Sequence, residues 1–142
     1  MKNIFLIFFL ISSLSCTTSK TTQYDYKESY VVITYQENYN IFKNSTPTEL
    51  SEKEISNVNR ILEDALSNLS LKIDLNNYKR QYVAVINSFG EKEVWVNCLC
   101  KQNNENWKKE IIFVDDGGSC YFNLKINLSK SRYYDLVING DA

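Results

Sequence analysis

Ser51-Glu52-Lys53-Glu54-Ile55-Ser56-Asn57-Val58-Asn59-Arg60-Ile61-Leu62-Glu63-Asp64-Ala65-Leu66-Ser67-Asn68-Leu69 is the stretch on which the fold turns. Ile55, Val58, Ile61, Leu62, Ala65, Leu66 and Leu69 recur at three- and four-residue intervals, which places them on one face of a helix. Glu52, Lys53, Asn57, Arg60 and Asp64 fall on the opposite, water-facing side. The helix start is also written here. Ser51 can cap it while Glu54 reaches back, and Leu50 with Ile55 occupies the places of a hydrophobic staple. Thr46-Pro47-Thr48-Glu49 offers a rival start one turn earlier. The stripe reads as core rather than as a recognition surface, so it needs a layer to pack against.

That layer follows in the sequence. After an intermediate segment at 70–79, strands are expected at 81–87, 93–100, 109–114, 119–128 and 132–139. The turns between them are Phe89-Gly90-Glu91, then Asp115-Asp116-Gly117-Gly118 as a tight Asp-Gly hairpin, then Ser129-Lys130-Ser131. In the fourth of these strands Cys120, Phe122, Leu124, Ile126 and Leu128 point one way, and Tyr121, Asn123, Lys125 and Asn127 the other. Upstream, Tyr30-Val31-Val32-Ile33-Thr34-Tyr35 predicts a first strand, with a short second one at 39–42. The expected fold is therefore α+β, one amphipathic helix packed on a curved antiparallel sheet of about five or six strands.

This element order, over about residues 30–139, resembles the cystatin-like and PepSY-like folds, a resemblance that carries no catalytic residue across. Tyr78-Lys79-Arg80-Gln81-Tyr82, Glu93-Val94-Trp95-Val96-Asn97 and Asp116-Gly117-Gly118-Ser119-Cys120-Tyr121-Phe122 look similar to small bacterial lipoproteins of Bacteroidota type. That resemblance brings no activity with it.

The first residues state an address. Lys2 supplies a positive charge, residues 4–11 are an unbroken apolar run, and small polar residues lead to Cys16, the pattern of a secretory signal. The run is far short of the roughly 20 residues a spanning helix needs. Ser13-Leu14-Ser15-Cys16 resembles a lipobox of the looser Bacteroidota form, with serines where the usual box prefers Leu and Gly or Ala. The resemblance implies cleavage before Cys16 and lipid on its sulfur and amine. The expected organisation is a signal peptide at 1–15, the lipidated Cys16 and a flexible tether at 16–28, and one domain at 29–142. The tether lacks an acidic run, which favours the periplasm-facing side of the outer membrane over its surface.

Composition excludes several function classes. Cleavage removes Lys2 and no acid, leaving a net charge near −2 on about 127 residues, with no basic element of the kind that grips nucleic acid. The sequence has no histidine, which removes Ser-His-Asp and Cys-His nucleophile systems, histidine-ligated zinc and any histidine pH switch. No cofactor is expected. Asp115 and Asp116 are too few oxygens for calcium and read as a turn.

Cys98, Cys100 and Cys120 are an odd number in an exported chain. With residues 109–114 as a strand between the other two, Cys98, Ile111 and Phe122 stand abreast and all three cysteines share the helix-facing side. Cys98 and Cys120 are then about 10 to 12 Å apart, beyond a bridge. Three buried core thiols are the first reading. A disulfide from Cys120 to Cys98 or Cys100, brought about by a register shift or bulge, is the second, and a redox or metal site the third.

The same register puts Trp95, Ile112, Val114, Tyr121, Asn97, Leu99, Tyr133 and Val137 on the face away from the helix, with Trp107 in the polar loop nearby. So apolar a face is expected to be covered. The cover is residues 24–42 of the same chain, a partner protein, a second copy or an apolar ligand. Trp95, Ile112, Val114, Tyr121 and Trp107 are the candidate partner contacts. The expected function is a lipid-anchored, non-catalytic cell-envelope domain that binds a protein or peptide. The alternative is a carrier or sensor of a small apolar ligand held between sheet and helix, and a thiol-dependent enzyme is the least favoured class.

Overall fold

Ser51 caps the helix as its place in the sequence requires. In the computed structural model, which describes residues 29–70, 72–101 and 106–140, the Glu54 amide donates to Ser51 Oγ (3.3 Å) and the Ser51 amide to Glu54 Oε2 (2.8 Å). This closes a capping box in front of α1 (Glu52–Ser67). At the far end the Ser67 hydroxyl and the Asn68 side-chain amide both donate to the Asp64 carbonyl, and the helix stops there. Ile55, Val58, Ile61, Leu62, Ala65 and Leu66 are buried, as their spacing requires. Asn59 is buried beside them, because the Tyr82 hydroxyl donates to its side-chain oxygen at 2.6 Å. The leader at 1–15, and Cys16 with its tether at 16–28, lie outside the described residues.

Among the described residues the sheet has six strands, β1 (Tyr30–Val32), β2 (Thr46–Pro47), β3 (Tyr78–Ile86), β4 (Lys92–Cys100), β5 (Tyr121–Asn127) and β6 (Arg132–Ile138). Its order is β1-β3-β4-β5-β6, with β2 also on β3. One helix on a six-stranded open sheet is an α+β fold. The sheet is mixed rather than wholly antiparallel, since β1 runs parallel to β3 through Tyr30↔Arg80 and Val32↔Tyr82. Residues 39–42 form no strand. A 3-10 turn at Glu37–Tyr39 ends on Asn40 in the left-handed region, and β2 pairs with β3 instead, through Thr46↔Ile86.

The larger correction concerns residues 109–114, which are not a strand. β4 pairs directly with β5, setting Cys98 against Phe122 and Leu99 against Tyr121. The stretch expected between them is lifted onto the sheet's outward face as a strap. The Asp115–Gly118 segment is accordingly no hairpin turn. Gly117 and Gly118 take positive φ (89° and 58°), the Gly118 amide donates to the Gly140 carbonyl, and the chain drops through a 3-10 turn at Gly118–Cys120 into β5.

The helix-side core joins the stripe of α1 to Tyr78, Tyr82, Ala84, Val94, Val96, Cys98, Phe122, Leu124 and Ile126. A second core lies on the outward face, where Ile33, Tyr35 and Phe42 cover Val83, Val85 and Trp95. The N-terminal part of the domain is thus one of the covers of that face. The Tyr35 hydroxyl pins it by donating to the Phe42 carbonyl at 2.8 Å.

Candidate functional site: a cleft on the outward face

Two amide side chains decide where the strap goes. Gln81 on β3 and Asn97 on β4 are directly paired and both buried. Gln81 Nε2 donates to the Trp107 and Glu110 carbonyls at 2.6 and 2.7 Å, and Gln81 Oε1 accepts from the Ile112 amide at 3.0 Å. Asn97 Nδ2 donates to the Ile112 carbonyl at 2.8 Å and to Gln81 Oε1 at 3.0 Å. The strap's backbone groups therefore find partners on side chains instead of on a ladder. Buried polar groups must be paired, so each side of this contact requires the other.

Beyond Asn97 the strap leaves a cleft of about 310 Å³ between itself and the β5–β6 end of the sheet. Trp95, Ile112, Phe113, Val114, Tyr121 and Val137 line its apolar part, with Asn123 and Asn139 supplying amides. Trp95 forms the floor: its indole N–H donates to Asn123 Oδ1 at 3.1 Å, and its ring lies 5.9 Å from that of Phe113. Asn139 Nδ2 holds the strap's end, donating to the Val114 and Asp116 carbonyls at 2.6 and 3.0 Å. Phe113 and Val137 on the rim are 60% and 52% exposed. Large apolar side chains this exposed, facing one concavity, are the unusual element.

Four of the expected contact residues, Trp95, Ile112, Val114 and Tyr121, thus line one cleft. Their exposure differs from the expectation: Trp95 is only 5% exposed, because residues of the chain's own N-terminal segment and Phe113 lie on it. Trp107 is 6% exposed and lies outside the cleft, with the Lys79 and Lys108 ammonium groups each 5.4 Å from its ring centre. Tyr133 is also moved. It pairs with core-facing Ile126, because an irregularity at Asp135 (φ 50°) shifts the register of β6. Phe113, Gln81 and Asn139 were missed. The available signal was the presence of amides in the otherwise apolar runs of β3 and β4, where they are unfavourable unless something polar covers them.

The cysteines follow from the same displacement. With β5 beside β4, Cys100 and Cys120 come within 4.9 Å (Cα to Cα) and form a disulfide, while Cys98 stays a buried thiol. The expected separation of the cysteine strands by an intervening strand was the error, and with it the first reading of three free thiols. The bridge closes the loop that carries the strap. Burial pushes the Cys98 thiol well above its ordinary range, outweighing the opposing pull of Arg80, so it stays protonated and a poor nucleophile. Comparison of the chain with protein-family models, with curated proteins and with solved structures finds no match in any of the three.

Proposed function

We propose that the protein is a lipid-anchored, non-catalytic domain of the bacterial cell envelope, attached to the outer membrane through Cys16 and facing the periplasm, that binds a protein or peptide partner. The observation that carries the binding reading is the outward cleft, apolar inside and rimmed by exposed Phe113 and Val137. An apolar side chain of a partner can enter it while the strap's exposed edge meets the partner's backbone. The sequence supports the rest: the signal and lipobox pattern at 1–16, the absence of histidine and the modest acidic balance.

The alternative ligand site between sheet and helix is filled at its centre, and a groove of about 350 Å³ remains at its edge, between Tyr30 of β1 and Ile55, Asn59 and Arg60 of α1. Val58, Leu62, Ala65, Val96 and Leu124 are fully buried against one another at that centre. The test is a crosslinking capture from the native envelope with the anchored chain, compared with Phe113→Ser/Val137→Ser and with Phe89→Ser at a distant exposed site. Loss of the same captured species in the double variant alone supports the reading. Capture unchanged by Phe113→Ser/Val137→Ser contradicts it.

A further inference from the structure

We infer that the end of the sheet at which the chain enters β1 is a docking face for an anionic lipid surface, separate from the cleft. Three observations carry this. The first is where the chain enters. The Ser29 carbonyl accepts from the Arg80 amide at 2.8 Å and Tyr30 pairs with Arg80, so residues 1–28 join the domain next to Lys79.

The second is the charge gathered there. Lys79 and Lys108 flank the buried Trp107 ring, each 5.4 Å from its centre, an arrangement that holds two flexible ammonium groups in place. Lys101 closes the end of β4 with its amide on the Asn77 carbonyl (3.0 Å), and the Lys109 amide donates to the Asn106 carbonyl (2.8 Å). The acids nearest these lysines are Glu110 on the strap and Asp74 at the turn before β3, Asp115 and Asp116 stand at the strap's far end by β5, and Glu105 lies outside the described residues.

The third is the contrast with the opposite end. There Lys92 is paired with Glu54 and Lys130 with Glu91, whereas among the described residues no ion pair engages Lys79, Lys101, Lys108 or Lys109. A chain that is acidic overall thus presents, where its described residues begin, four lysines outside any ion pair among the described residues. Each lysine brought to an anionic bilayer surface raises affinity by about fivefold, and the gain is lost when salt shortens the Debye length. The face does not depend on acylation of Cys16, although an anchor there would hold it against the membrane.

The experiment uses the full chain mixed with vesicles of phosphatidylethanolamine alone, or with about one quarter phosphatidylglycerol. It reads vesicle flotation and the rates of tryptic cleavage after Lys101, Lys108 and the distant Lys43. The expected result is cleavage about tenfold slower after Lys101 and Lys108 on the anionic vesicles only, with Lys43 unaffected. Lys79→Gln/Lys109→Gln, or about 0.5 M salt, should abolish the protection. Equal rates on both vesicles, or equal slowing at Lys43, overturns the inference. The mass of the N-terminal peptide reports acylation separately. An acylated chain whose cleavage ignores lipid charge therefore overturns the face and leaves the anchor standing, and an unacylated chain whose cleavage after Lys101 and Lys108 is slowed only by anionic vesicles does the reverse.

Discussion

Replacing Gln81 by methionine tests the feature that builds the cleft. Methionine keeps the length and apolar volume of the side chain, so the packing on β3 is preserved while every hydrogen bond from Gln81 to the strap is removed and those of Asn97 and Asn139 remain. Three strap groups lose their partner: the Trp107 carbonyl, the Glu110 carbonyl and the Ile112 amide. At about 1 kcal/mol net for each, the expected loss is about 3 kcal/mol. The strap can limit that loss by lifting away and hydrating its backbone, which exposes Trp95 and Asn97. Urea unfolding under oxidising conditions reads the stability, and hydrogen exchange at the Ile112 amide reads the strap directly. Exchange at Ile112 should accelerate by orders of magnitude while amides in the centre of β4 remain protected beyond the global change. Gln81→Glu should also fail, because a carboxylate accepts from Ile112 but cannot donate to two carbonyls. If Ile112 exchange is unchanged and stability falls by less than about 0.5 kcal/mol in Gln81→Met, the amides do not hold the strap.

Cys100→Ser/Cys120→Ser opens a loop spanning 20 residues and should cost about 3 kcal/mol, measured as the drop in unfolding free energy against the oxidised chain; no drop would mean the bridge does not constrain the unfolded state. A thiol reagent should find Cys98 unreactive in the folded chain and reactive in denaturant, and rapid native reaction would contradict its burial. Glu54 has its carboxyl lowered to about 2, first by the hydrogen bond from Lys92 and then by the Ser51 amide. A depressed carboxylate stabilises above its ordinary value of 4.5 and loses that contribution as pH falls towards about 2, so Glu54→Gln should flatten this part of the acid limb. An unchanged stability difference between about pH 5 and about pH 2.5 would refute it.

The helix was legible because its signals agree. The capping box, the seven-residue stripe and the polar opposite face all come from short-range spacing, and burial of Val58, Leu62 and Ala65 followed directly. The strands around Val96 and Leu124 were legible for the same reason, through alternation. What failed was long-range. Residues 109–114 have the composition of a strand, and nothing local distinguishes a strand in the ladder from an extended strap above it. The difference lies in Gln81 and Asn97, about 15 to 30 residues away in sequence, whose amides supply the strap's partners. Misplacing that one segment also displaced the cysteine register and left the Cys100–Cys120 bridge as the second reading, behind three buried thiols. Four of the five expected contact residues, Trp95, Ile112, Val114 and Tyr121, nevertheless line one cleft, since they lie on the outward face whether residues 109–114 form its strand or its cover, whereas Trp107 lies outside it.

The most direct test of the account is a photo-crosslinking residue installed in place of Phe113 on the cleft rim, with the same residue in place of Phe89 as a comparison. Both side chains are exposed, at 60% and 85%, but only Phe113 borders the cleft. Irradiation in the native envelope should give a discrete covalent adduct from position 113 that is absent from position 89 and is lost when Val137→Ser is added. No adduct at 113, or the same adducts from both positions, would contradict the claim that this cleft is where the partner binds.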